Sequence, residues 1–161
     1  MRKMWLPILA AGLAIDRLTK YWAMRVTAEA MDHVFTLWPG VIGFRYAQNT
    51  GMAFSFLAGH PLALLTLAAV MAVISLLIII FNKQLSTGLR VGLTLISAGG
   101  IGNIIDRLVY GYVVDFMEFL FVDFAIFNMA DVFITMGAAV IIFTLLTGRD
   151  ISVHTRMDSG A

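Results

Sequence analysis

No cysteine occurs in this chain of 161 residues, and that single absence removes disulfides, thiol catalysis and thiolate metal sites together. Charge is scarce as well. Asp, Glu, Lys and Arg make up 13% of the residues, against about 25% in an ordinary soluble domain. The net charge is +1 and the basic residues are scattered, so no basic stripe of the kind that binds nucleic acid is present and no such partner is expected. His33, His60 and His154 are the only histidines, and none stands in a His-Glu-x-x-His spacing. No metal and no cofactor is therefore expected. No nucleophile elbow marks a serine, although the sequence leaves open a dyad of Ser55 with Lys20.

Apolar residues are abundant instead, at 60% of the chain with a mean hydropathy of +0.90, which identifies a membrane protein. The length allows one domain, residues 1–161, in which four spans of about 20 residues take up roughly half the chain. The clearest span is 61–81, an uncharged run long enough, at about 1.5 Å per residue, to cover roughly 30 Å of hydrocarbon. Spans over 89–110 and 128–147 follow, the former ending at Tyr110 and Tyr112, whose rings suit the headgroup level. The first span, 4–24, is interrupted by Asp16, Arg17 and Lys20. Arg2 and Lys3 before an apolar stretch, with Ala28-Glu29-Ala30 beyond, imitate a cleaved signal peptide; the charges in between favour a retained helix.

Arg2, Lys3, Lys83, Arg90, Arg149 and Arg156 fall on one side of this arrangement, and Arg25 and Arg45 on the other. By the positive-inside rule both termini are cytoplasmic, and residues 25–60 and about 111–127 lie outside. The outer segments read as strand. Residues 34–38 and 41–46 are β-prone runs around Pro39-Gly40, and 113–127 are similarly rich in Val and Phe. A small outer β platform is expected, with a short amphipathic helix near 53–59. The predicted fold class is thus a mainly α membrane protein, with four transmembrane helices and a small extracytoplasmic β cradle.

Within this frame Asp115 and Asp131 stand out. Carboxylates at membrane depth are costly and usually functional, and this topology brings both to the outer level. Neither has a cation close in sequence, while Asn128, three residues before Asp131, is placed to hydrogen-bond a carboxylate from the same helical face. Two close carboxylates in a low-dielectric site share a proton near neutrality, so one can donate while the other activates water. The same pair also fits a proton or cation path, and spacing alone favours the peptidase only slightly. Asp16 and Lys20, four apart on the first helix, read first as a structural ion pair. Asn103, Asp106 and Arg107 form a polar face after Gly99-Gly100-Ile101-Gly102, where small residues permit close helix contact. Asp106 and Arg107 are adjacent and cannot simply face each other, so each is expected to pair elsewhere in the bundle or to reach the interface. The loop Asn49-Thr50-Gly51-Met52-Ala53-Phe54-Ser55 reads either as an ordinary turn or as a segment that hydrogen-bonds substrate.

Taken in order, these motifs resemble the lipoprotein signal peptidase family, the type II signal peptidases of bacterial inner membranes. The resemblance is carried by Asp16 with Thr19-Lys20, the loop from Asn49 to Ser55, the run from Gly99 to Arg107, Val114-Asp115-Phe116, and Phe127-Asn128-Met129-Ala130-Asp131. It implies a multi-pass aspartic endopeptidase, with its site at the periplasmic face, that cuts diacylglyceryl-modified prolipoproteins before the lipid-bearing cysteine. It also implies Asp115 and Asp131 as the catalytic dyad. Asp16, Lys20, Asn49, Gly51, Asn103, Asp106, Arg107 and Asn128 would then contact substrate or brace the site. A globomycin-type inhibitor, membrane lipid and a monomeric state are further expectations.

Overall fold

The structure, a computed structural model, describes residues 5–27, 35–50 and 61–147. Gly51 and the short helix expected at 53–59 lie outside those residues. Four helices, α1 (Trp5–Thr27), α2 (Pro61–Phe81), α3 (Thr87–Tyr110) and α4 (Met129–Leu146), are joined by strands β1 (Phe35–Trp38), β2 (Ile42–Asn49) and β3 (Val113–Phe119). Helix α1 runs without a break through Asp16, Arg17 and Lys20. Helices α3 and α4 are each long and apolar enough to cross a membrane, and Ala69–Phe81 of α2 is a shorter apolar stretch.

Local signals set the helix ends. Ser86 caps α3 by accepting the Leu89 N–H, and α3 closes at Gly111, whose N–H bonds the Arg107 carbonyl at 3.1 Å. Asn128 caps α4 in a reciprocal capping box with Asp131. Gly12 meets Ala98 and Asp16 meets Gly102, so α1 and α3 run parallel; Gly92 meets Gly137 and Gly99 meets Ala130, so α3 and α4 run antiparallel. The C-terminal ends of α1 and α3 and the N-terminal end of α4 therefore gather at one end of the bundle. Gly102 is required for this approach, because a Cβ there would lie 2.5 Å from the Asp16 carboxylate.

The distribution of polarity is the reverse of a soluble protein. Asp16, Lys20, Thr94, Ser97, Asn103 and Asp106 are buried between helices, while Val70, Met71, Val73, Ile74, Leu77, Met136, Ile142 and Phe143 face outward. An apolar exterior around a polar interior is stable in lipid and costly in water.

The strands form one antiparallel sheet in the order β1-β2-β3. Pro39-Gly40 makes the expected turn, with Gly40 at φ 72° and the Val41 N–H bonded to the Trp38 carbonyl at 2.9 Å. Strand β2 pairs Phe44 with Met117 and Ala47 with Asp115, a step of three residues against two, so β2 carries one extra residue as a bulge. On the far side of β3, Phe127 bridges Met117 in antiparallel fashion, and its carbonyl accepts the N–H groups of Phe116 and Met117 at 3.0 and 2.8 Å. That bridge delivers the chain to Asn128 directly beside Asp115. Phe116 and Met117 pack with Ala23 of α1 and with Phe44, Phe127, Met129 and Val132, fixing the sheet on the end of the bundle.

Candidate active site

Two buried polar clusters meet where the sheet joins the helices. In the first, Arg17 donates from Nη1 to Asp106 Oδ1 at 2.6 Å and from Nη2 to Asp16 Oδ2 and to the Gly102 carbonyl, the last at 2.9 Å. Lys20 Nζ lies 3.1 Å from Asp16 Oδ1 and 2.7 Å from Asp106 Oδ2. Two carboxylates thus face two cations, and Asp16, Asp106 and Lys20 are almost fully buried. The expected Asp16–Lys20 pair is present. Asp106 finds its partners elsewhere, on α1, and one of them is Arg17, which in the sequence stands out only as a charge interrupting a span. The Arg17–Asp106 contact joins residues 89 apart, and no local pattern in the sequence announces it. Asp106 also accepts the Val114 N–H at 3.1 Å, tying β3 to the ion cluster.

The second cluster contains Asp115 and Asp131 and is built from amides. Asp115, in the middle of β3 and 2% exposed, accepts Asn128 Nδ2 at 2.6 Å on Oδ1 and Asn49 Nδ2 at 2.8 Å on Oδ2. Asp131 accepts Asn103 Nδ2 at 3.0 Å on Oδ1 and the Asn128 backbone N–H at 3.1 Å on Oδ2. Asn128 therefore holds both carboxylates, one through its side chain and one through its backbone. It does so as the N-cap of α4, with its Oδ1 accepting the Asp131 N–H, and not from the same helical face as the spacing had suggested. An Asn three residues before an Asp at the head of an apolar run is the sequence signature of such a cap.

Asn103 links the clusters. Its Oδ1 accepts Lys20 Nζ at 2.8 Å and Asn128 Nδ2 at 3.3 Å, while its own Nδ2 faces Asp131. Arg107 donates to the Asn103 carbonyl at 3.3 Å and forms no ion pair among the described residues. Of the ten residues singled out by sequence, nine meet in this one region, and Gly51 lies outside the described residues.

Burial drives the Asp115 carboxyl from its ordinary value of 3.8 up to about 7, and the nearby charge of Asp131 adds to this; the amides of Asn49 and Asn128 and the charge of Lys20 pull the other way. Asp115 therefore exchanges its proton near neutrality. Tyr112, at the rim, shares a 3.0 Å hydroxyl contact with Tyr46 that raises it to about 12, outside the range of acid-base work at neutral pH. No group of three or more metal-binding side chains occurs among the described residues.

An apolar-faced helical frame enclosing a polar centre is the architecture of a membrane-embedded protein, and comparison with known proteins specifies which. The family model for Signal peptidase (SPase) II matches residues 8–147. A lipoprotein signal peptidase of Streptococcus thermophilus is 37% identical over 155 residues, covering 96% of this chain and all of the relative. Another from Gloeothece citriformis is 39% identical over 145 residues, with 90% and 88% covered. A bacterial membrane enzyme solved by the in meso method at 2.3 Å superimposes with a TM-score of 0.79 at 28% identity, over 90% of this chain and 88% of that one. The chain belongs to the signal peptidase II family and is a membrane peptidase.

Proposed function

We propose that this protein removes the signal peptide from diacylglyceryl-modified prolipoproteins, cutting before the lipidated cysteine by water activation between Asp115 and Asp131. The observation that carries this reading is the double grip of Asn128, which holds Asp115 at 2.6 Å and Asp131 at 3.1 Å. A structural ion pair needs no such arrangement, whereas an acid and a base acting on one water must be kept at fixed separation.

The two carboxyls have different surroundings. Asp131 is the third residue of α4, where the free N–H groups of the first turn favour a negative charge. Asp115 is 2% exposed and is raised to about 7 by burial and by the nearby charge of Asp131. In the proposed cycle the Asp131 carboxylate takes a proton from water as its oxygen attacks the scissile carbonyl carbon, and protonated Asp115 gives its proton to the carbonyl oxygen. The tetrahedral intermediate collapses as the carbon–nitrogen bond breaks. Asp131 passes its proton to the leaving amine, and the hydroxyl proton returns to Asp115. Arg107 and Asn49 are placed to contact the substrate, while Asp16, Lys20, Asp106 and Asn103 brace the pair.

In the bilayer, we place all four helices across the membrane as spans 4–24, 61–81, 89–110 and 128–147 of one domain. Both termini are then cytoplasmic and the aspartates lie at the periplasmic face of the inner membrane. The excess of Arg2, Lys3, Lys83, Arg90, Arg149 and Arg156 on one side over Arg25 and Arg45 on the other supports that orientation. Acyl chains of the substrate then stay in the bilayer while its scissile bond reaches the polar boundary. A monomer suffices, since every residue of the pair comes from one chain, and a globomycin-like cyclic peptide would occupy the same site.

The test is a gel-shift assay of purified protein with a diacylated prolipoprotein. Asp115→Asn and Asp131→Asn should each lower cleavage by roughly 10³-fold or more while leaving membrane insertion intact. Near-normal turnover by either variant would falsify the assignment, and ion-dependent flux without cleavage would favour the proton-path reading.

A further inference from the structure

At the opposite end of the bundle, Trp5 and Leu6 of α1, Ile79 and Ile80 of α2, Lys83 just beyond it and Arg90 of α3 line a cleft of about 520 Å³. Among the described residues the cleft has an apolar wall and a cationic rim and no acidic side chain. Its chemistry is the reverse of the aspartate end, where Arg17 and Lys20 each face Asp16 and Asp106.

Arg90 is 9% exposed. Nη1 donates to the Ile79 carbonyl at 3.0 Å and Nη2 to the Asn82 carbonyl at 3.3 Å, so the guanidinium closes the C-terminal end of α2. That accounts for two of its five N–H groups. No carboxylate pairs with Arg90 or Lys83 among the described residues. The first acid of α1 is Asp16, eleven residues or about 16 Å along the helix from Trp5. A buried cation without an anion is costly, and capping carbonyls offset only part of that cost. A second cation at the mouth adds to the same positive field, and a volume of several hundred Å³ is that of a small-molecule site.

We infer that this cleft binds the headgroup of an anionic phospholipid from the leaflet at that end. Arg90 and Lys83 contact the phosphodiester, Leu6, Ile79 and Ile80 receive the first methylenes of an acyl chain, and Trp5 sits at headgroup level. A phosphodiester supplies the missing charge, and an attached chain matches the apolar wall, which a free phosphate would leave exposed. The inference rests on the reading that these helices cross a bilayer. Its readout involves no turnover, so it fails or stands separately from the aspartate chemistry.

The experiment is thermal melting of the full-length protein in neutral detergent, titrated with phosphatidylglycerol, phosphatidylcholine or glycerol phosphate. Phosphatidylglycerol should raise the melting temperature saturably, with the other two giving no shift. Lys83→Glu should weaken the phosphatidylglycerol response by roughly tenfold or more. Leu6→Trp, which fills the cleft and keeps both charges, should abolish the response, whereas Arg25→Glu at the other end should leave it unchanged. These two variants guard against reading diffuse attraction as a site. Equal stabilisation by phosphatidylcholine, equal stabilisation by glycerol phosphate, or an unaltered response in Leu6→Trp would each overturn the proposal.

Discussion

Asp106 and Asp115 are both hidden from solvent, at 0% and 2% exposure, yet opposite chemistry holds them. Asp106 lies against Arg17 and Lys20 at 2.6 and 2.7 Å. Among the described residues, Asp115 accepts the amides of Asn128 and Asn49, at 2.6 and 2.8 Å. A cation in contact commits a carboxylate to its charged form, whereas a neutral amide orients it and leaves its protonation responsive to the surroundings. Asp106 is thereby suited to anchoring β3 through the Val114 N–H, and Asp115 to moving a proton. The two carboxylates thus sit in adjoining clusters of different chemistry, linked through Asn103 of α3.

The largest effect that separates the two clusters should come from Asp106→Asn. The substitution keeps the shape and the bond to Val114 but leaves Arg17 and Lys20 sharing Asp16 alone. Breaking a buried ion network in this way costs about 3–5 kcal/mol, so melting should fall steeply. Asp115→Asn, by contrast, should stop cleavage and retain a cooperative melt. Should Asp106→Asn melt like the parent protein while losing turnover, Asp106 would belong to the reaction and the division between the clusters would collapse.

How much of this division the sequence shows depends on distance along the chain. Asp16 and Lys20 are one helical turn apart, and their pairing follows from spacing. The hairpin is legible at Pro39-Gly40, where turn residues interrupt two β-prone runs. Spacing marks Asn128 as a carboxylate partner, and Asn-x-x-Asp ahead of an apolar run also carries the signature of the cap that α4 forms there. Arg17 and Asp106, 89 residues apart, meet only because Gly102 lets α1 and α3 approach, and neither charge carries a mark of its partner. The extra residue of β2 between Phe44 and Ala47 is equally silent, since a bulge is set by pairing with a strand distant in sequence. The resemblance placed both aspartates in the site, but the coordinates distinguish the cation-bound carboxylates from the amide-bound ones.

A second, smaller effect concerns pH. A pair that needs one proton loses activity as its more basic member ionises, so kcat/KM should fall about tenfold per unit above the Asp115 value of about 7. Stability should change in the same window. The folded-state pKa of Asp115 lies above its unfolded value, so the folded protein binds more protons between about pH 4 and 7. Stability from this group is greatest below that window and is lost as pH rises through it. Asn cannot ionise. The melting difference between Asp115→Asn and the parent should therefore move in favour of the variant from pH 4 to 7 and level off above. A flat difference across that range would mean that Asp115 does not titrate there and is not the proton donor.

The smallest expected effect tests whether proximity to a cation matters by itself or only when buried. Arg45 of β2 donates to Glu118 of β3 at 2.6 Å, as close as Arg17 to Asp106, but the Arg45 side chain is 45% exposed against 29% for Arg17 and 0% for Asp106. Water and salt screen an exposed partner, and holding a long side chain in place costs entropy, so such a pair contributes about 0–1 kcal/mol. Arg45→Gln should accordingly shift melting by less than about 1 kcal/mol and leave cleavage unchanged. Two ion pairs of equal length would then differ several-fold in consequence, with burial as the controlling variable. A loss comparable to that of Asp106→Asn would instead mean that the sheet, and not the buried ion cluster, holds the aspartates in register, since Glu118 lies three residues beyond Asp115 on the same strand.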